Sequence, residues 1–85
     1  MRPFYHPKFK KQFRKLSRTI QDHFNERLAI FLKNMFHPLL NNHSVEPTYP
    51  GWRSINITGD YRALFEIKDK DIIVFMKIGT HSELY

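Results

Sequence analysis

A two-layer α+β domain, built from a short N-terminal strand, an αα-hairpin and a C-terminal antiparallel β-meander, is the fold predicted for this 85-residue chain. Two observations carry that reading. Up to about residue 36 the large apolar side chains recur every three or four residues, and from Trp52 onward they alternate every second residue. Between the two patterns lies a stretch, residues 38–51 (PLLNNHSVEPTYPG), that holds three of the five prolines. The length suits one domain, residues 1–85, with the helices packed on one sheet face and the other face left open.

Residues 2–6, bracketed by Pro3 and Pro7, predict a brief edge strand that enters a helix with Pro7 near its first turn. Phe9, Phe13 and Leu16 are spaced by four and three with cations between them, which is one face of an amphipathic helix. Ser17 or Thr19 can cap a second helix, and Asp22 stands three residues after Thr19 as in a capping box. Ile20, Phe24, Leu28, Phe31 and Met35 carry that helix to about Phe36, and Pro38 ends it. With almost no connection between them, the two helices form an antiparallel hairpin.

Residues 38–51 read as a loop. Trp52 to Ile57 is a strand, Thr58-Gly59-Asp60 a hairpin turn and Tyr61 to Ile67 the next strand. Tyr61, Ala63, Phe65 and Ile67 share one of its faces, and Arg62, Leu64 and Glu66 share the other. A polar turn at 68–71 leads into a β-branched strand from Ile72 to Ile78, and the tail breaks at Gly79 with room to resume pairing.

The formal charge of +6 belongs to one end of the chain. Arg2, Lys8, Lys10, Lys11, Arg14, Lys15 and Arg18 fall within residues 1–18, which contain no acid. Such a block suits a polyanion, since each cation beside a phosphate releases condensed counterions. It equally suits a solvated helix face or a surface for an acidic protein partner. Cysteine is absent, no apolar run approaches the length of a membrane span, and no signal peptide opens the chain. A cytoplasmic protein without a membrane partner is expected.

His6, His23, His37, His43 and His81 lack paired ligand spacing, so no metal site and no cofactor is expected. Metal-free cleavage of RNA needs less equipment. The ribose 2′-OH already lies beside the phosphorus, so an enzyme must hold the backbone, move two protons and neutralise the phosphorane. Histidine carries protons near neutral pH, arginine grips phosphate with a planar fork, and aromatic rings stack on unpaired bases. His81, after the Gly79-Thr80 break, and Arg62, on the face away from Ala63 and Phe65, are candidates for this chemistry. The alternatives at these positions are a surface histidine, an ion pair between Arg62 and Glu66, and a plain turn residue at Asp60.

The run GWRSINITGDYRALFEI (51–67), a strand, and then IGTHSELY (78–85) together resemble the C-terminal half of toxins of the RelE/ParE superfamily. The GTHxxL-aromatic ending is similar to the YafQ branch, and FYHPKFKKQFRKL is similar to the usual strand and Lys-rich helix that open these chains. The resemblance implies the RelE/ParE-like fold and a ribosome-dependent endoribonuclease that cuts messenger RNA and is held inactive by a cognate antitoxin. The chain would then be a monomer or part of a toxin-antitoxin hetero-oligomer.

By the same resemblance, His81 and His43 match acid-base histidines, Asp60 a catalytic aspartate, Tyr85 a terminal aromatic on the substrate, and Arg62 a phosphate-binding arginine. Lys8, Lys10, Lys11, Arg14, Lys15, Arg18 and Arg53 are expected on RNA or the ribosome. Asn56 departs from the pattern where YafQ-like toxins carry another histidine, and Ser54 where they carry an acid. Two further readings follow: a ParE-type toxin that inhibits gyrase without catalysis, and an inactive or regulatory module that binds nucleic acid or antitoxin.

Overall fold

The computed structural model describes residues 1–85. Its elements run β1 (Arg2–Tyr5), α1 (Pro7–Arg14), α2 (Arg18–Lys33), a 3-10 turn (Pro38–Leu40), β2 (His43–Ser44), β3 (Trp52–Asn56), β4 (Tyr61–Asp69), β5 (Ile72–Thr80) and α3 (His81–Leu84). The strands form one sheet in the order β1-β5-β4-β3-β2, with β1 parallel to β5 and every other pair antiparallel. The α+β layering expected from the sequence is the observed one.

Aromatic side chains fill the layer between helices and sheet. Phe9 of α1 and Phe24 and Phe31 of α2 are buried against Phe65 of β4 and Phe75 of β5. Phe31 meets Phe65 edge-on at 5.0 Å between ring centroids, and Phe24 meets Phe75 at 5.4 Å. Such pairs add about 0.5–1.5 kcal/mol each beyond the burial of their area. Leu40, Ile55, Ile57, Ala63, Ile73 and Ile78 complete this core.

Helix ends follow side-chain chemistry. His6 caps α1, its Nδ1 accepting the Lys8 amide at 3.0 Å. Ser17 caps α2 by accepting the Ile20 amide, while Asp22, three after Thr19, pairs with Arg18 at 3.1 Å instead of closing a box. The second helix stops at Lys33, short of the expected Phe36, because Asn34 turns extended and its side chain takes the Phe36 amide. Met35 still packs on the core from outside the helix.

Three further expectations are corrected. Residues 38–51 contain the 3-10 turn and β2, which pairs with Arg53 and Ser54 of β3. The last strand does not break at Gly79 but runs on to Thr80, and the tail winds into α3 rather than resuming pairing. The outer sheet face is not fully open: Val45, Leu64 and Leu84 bury one another there, flanked by Tyr49 and Trp52. Leu64 and Trp52 project apolar surface onto that face, and the segment 45–51 with α3 removes it from water. The remainder of that face holds a polar cavity.

Candidate functional site

The cavity, of about 260 Å³, opens between the loop carrying β2 and the C-terminal turn, with the sheet as its floor. It brings together four residues singled out from the sequence: His43, Arg62, His81 and Tyr85. Ser54 lies at the floor, fully buried, with its Oγ beside the Tyr85 phenol but in no well-formed hydrogen bond. Glu46 supplies the only acidic side chain of the lining.

Each side chain is placed by an element. Arg62 stands on β4 opposite Gly79 of β5, and its Nη1 donates to the Thr58 and Tyr61 carbonyls at 3.0 and 3.1 Å. Those bonds tether the guanidinium, while its Nε and Nη2 remain without protein partners. No ion pair with Glu66 forms, since Glu66 pairs with Lys68 at 2.9 Å. His43 sits at the sheet edge on β2, and its Nδ1 lies 2.7 Å from the Asn41 carbonyl oxygen. A carbonyl only accepts, so Nδ1 carries the proton and Nε2 presents a free lone pair in the neutral ring.

His81 is the first residue of α3. Its amide donates to the Asp60 carbonyl at 3.0 Å, and its ring lies 4.8 Å from that of Tyr85. The turn begins in a capping box: Thr80 Oγ1 accepts the Glu83 amide at 3.2 Å, and Glu83 Oε1 accepts the Thr80 amide at 2.8 Å. These bonds to Thr80 hold the Glu83 carboxyl below its ordinary value. Gly79 permits the fold-over, because a Cβ there would stand 3.2 Å from Glu83 Oε1 and 3.6 Å from the Leu84 side chain. Burial pushes the Tyr85 phenol up; the Ser54 hydroxyl and the Arg62 guanidinium pull it down, and Tyr49 adds to the rise.

The other expected residues lie elsewhere. Asp60 contributes its backbone carbonyl to His81, but its carboxylate is exposed and does not line the cavity. Arg53 points to the opposite face, where its Nε donates to Asn42 Oδ1 at 2.7 Å and its guanidinium covers the Phe36 ring. Lys8 and Lys15 line a separate cleft of about 470 Å³ with Lys77, Glu83 and Leu84, behind α3. Lys10 and Arg14 rim an apolar groove of about 270 Å³ over Tyr5, Phe9, Phe13 and Phe24. Lys11 is exposed, and Arg18 is exposed and paired with Asp22. Asn56 lies off the cavity, in a depression with Arg27 and Leu39.

Of the remaining histidines, His6 and His37 cap helical segments and His23 is near Glu26. No three His, Asp or Glu side chains converge to hold a metal ion, and no helix is long and apolar enough to cross a membrane. Glu46 and Lys77 escape the sequence reading. Glu46 sits three residues after His43, a spacing that could have drawn attention to it, whereas nothing local marks Lys77.

Comparison with known proteins bears on the family and the fold. The family model described as the ParE toxin of type II toxin-antitoxin systems matches residues 4–85. No curated protein matches by sequence. Among solved structures, the fold is similar to that of YafQ from E. coli strain BL21(DE3), with TM-score 0.82 and 16% identity over 99% of this chain and 97% of that one. It is similar to the YoeB/ParE toxin from Agrobacterium tumefaciens, with TM-score 0.79 and 12% identity over 95% and 99%. A chain of the RelB-RelE antitoxin-toxin complex from Methanococcus jannaschii aligns with TM-score 0.73 and 16% identity over 96% and 94%. The match across nearly the whole chain and the shared fold make this protein a member of the ParE toxin family of type II toxin-antitoxin systems, within the RelE/ParE superfamily.

Proposed function

We propose that this toxin is a metal-independent endoribonuclease that cuts messenger RNA on the ribosome. The observation that carries the reading is the convergence of two histidines, an arginine fork and an aromatic ring on one polar cavity. In the proposed reaction the ribose 2′-oxygen attacks the adjacent phosphorus and loses its proton to His43 Nε2. The 5′-oxygen of the next nucleotide leaves with a proton from His81, giving a 2′,3′-cyclic phosphate and a free 5′-hydroxyl. The free edge of Arg62 offsets the charge that builds on the phosphorane oxygens. Tyr85 stacks on or orients the substrate beside His81.

The partners proposed are the ribosome with its message and a cognate antitoxin. The antitoxin is inferred from membership of a toxin-antitoxin family and from the antitoxin-bound state of a structural relative. On this reading the protein acts in the cytoplasm.

The test is cleavage of a reporter message on programmed ribosomes, with products mapped at codon resolution. Replacing His81 with Ala removes one proton-transfer group, and the rate is expected to fall by about 10²–10⁴ while the circular dichroism spectrum is kept. Undiminished cleavage by that variant would refute the assignment. The family match to ParE favours a second reading, inhibition of gyrase by binding. A supercoiling assay separates the two, because a nuclease leaves supercoiling untouched.

A further inference from the structure

Two of the cavity's four central residues, His81 and Tyr85, are the first residue and the C-cap of a helix of four residues. A segment that short cannot hold itself, since helix nucleation alone is unfavourable. Its start is fastened by the Thr80 and Glu83 capping box, and Leu84 is seated in the small apolar cluster. Its end is fastened by a residue that the catalytic reading does not use. The Tyr49 hydroxyl donates to the Leu84 carbonyl, one of the acceptors that a helix end leaves unsatisfied.

Tyr49 is itself held on three sides. Its ring stacks on Trp52 at 5.0 Å and 5°, and meets Tyr85 edge-on at 6.0 Å. Lys77 Nζ lies 5.0 Å over the ring and donates to the hydroxyl at 3.3 Å. A cation donating into a hydroxyl strengthens that hydroxyl's own donation, so Lys77 tightens the bond to Leu84. The segment around Tyr49 is also closed on itself: Val45 donates to Trp52, Tyr49 to Val45 and Trp52 to Tyr49 through the backbone.

We propose that Tyr49, polarised by Lys77, is a positioning residue that locks the C-terminal turn so that His81 and Tyr85 face the cavity in register with Arg62. Its consequence for catalysis rests on the nuclease reading above; its effect on the turn does not. Tyr49→Phe removes both hydroxyl bonds and keeps the ring, so the stack on Trp52 and the fold are retained.

The experiment is amide exchange and ring-to-ring nuclear Overhauser measurement on the full-length toxin, paired with cleavage kinetics on programmed ribosomes. In Tyr49→Phe, exchange of the Tyr85 amide, which donates to the His81 carbonyl at 3.1 Å, is expected to speed up by about tenfold. The His81–Tyr85 contact weakens, while amides of β4 and β5 keep their protection. The kcat falls by about 10- to 100-fold with KM little changed, since misplacing a reacting group by an ångström costs that much. Lys77→Met, which leaves Tyr49 in place, gives a smaller change in the same direction.

Protection at the turn unchanged in Tyr49→Phe overturns the proposal, and so does a loosened turn with kcat unaltered. Should the wild-type toxin itself cleave no message, the nuclease reading falls alone, and the exchange and Overhauser measurements still decide whether Tyr49 holds the turn.

Discussion

Arg62 shows how a residue becomes chemically useful by being partly used up. Two bonds from Nη1 to backbone carbonyls fix its plane, and the unpaired edge is presented to the cavity. The glycine opposite it on β5 adds no side chain of its own. A lysine there would retain the charge but lose the fork. Arg62→Lys is therefore expected to lower the cleavage rate nearly as far as Arg62→Ala, by at least about tenfold, as single-turnover kinetics will show.

At this scale the sequence is informative about type and face, and less so about partners. Alternation along β4 places Arg62 away from Phe65, and the structure puts it there. Alternation along β3 puts Arg53 with Ile55 on the helix face, away from the cavity, so its charge alone is a poor guide to RNA binding. The tautomer of His43 depends on a carbonyl two residues away, and no spacing rule reveals it.

Among the elements, α3 is the one on which the site turns, and the one that the sequence reading misses. Its signal is present as Thr80 and Glu83 in the spacing of a capping box, but a glycine at the preceding position argues for an ended strand. The long apolar periodicities, by contrast, are legible to within a few residues because burial imposes them. The strap of residues 45–51 is not legible, since its structure comes from packing against Leu64, Leu84 and Trp52, which are distant in sequence or on another element.

The cap also has a pH dependence with a definite sign. Glu83 is held below its ordinary value of 4.5 by its bonds to Thr80. A depressed carboxyl stabilises the folded form above its unfolded value, and the contribution disappears as pH falls through the lower folded value. The turn is thus expected to stay capped above about pH 4.5 and to loosen on further acidification, which exchange of the Thr80 amide between pH 6 and 3 will register. Glu83→Gln, without a charge to titrate, shows a flatter profile.

Over the whole molecule, the polar cavity and the N-terminal cations occupy separate surfaces that approach each other around α3. Lys8 and Lys15 meet Lys77 behind the turn that carries His81, so a strand leaving the cavity can pass from one to the other. Under the proposed function the net charge of +6 acts on binding, while Arg62 and the histidines act on the bond that breaks. Lys8→Gln with Lys15→Gln is expected to reduce the salt dependence of RNA binding by about 0.7 in slope for each phosphate no longer neutralised. Single-turnover cleavage at saturating ribosome stays near wild type in that double variant.

The centre of the proposed function is that the ribose 2′-oxygen is the nucleophile and the cavity its proton-handling frame. It is tested most directly by a message carrying one 2′-deoxynucleotide immediately 5′ of the mapped scissile phosphate, translated by programmed ribosomes in the presence of the toxin. Loss of cleavage at that codon, with cutting retained in the all-ribose message, is the predicted result. Cleavage that persists at the deoxy position would contradict it.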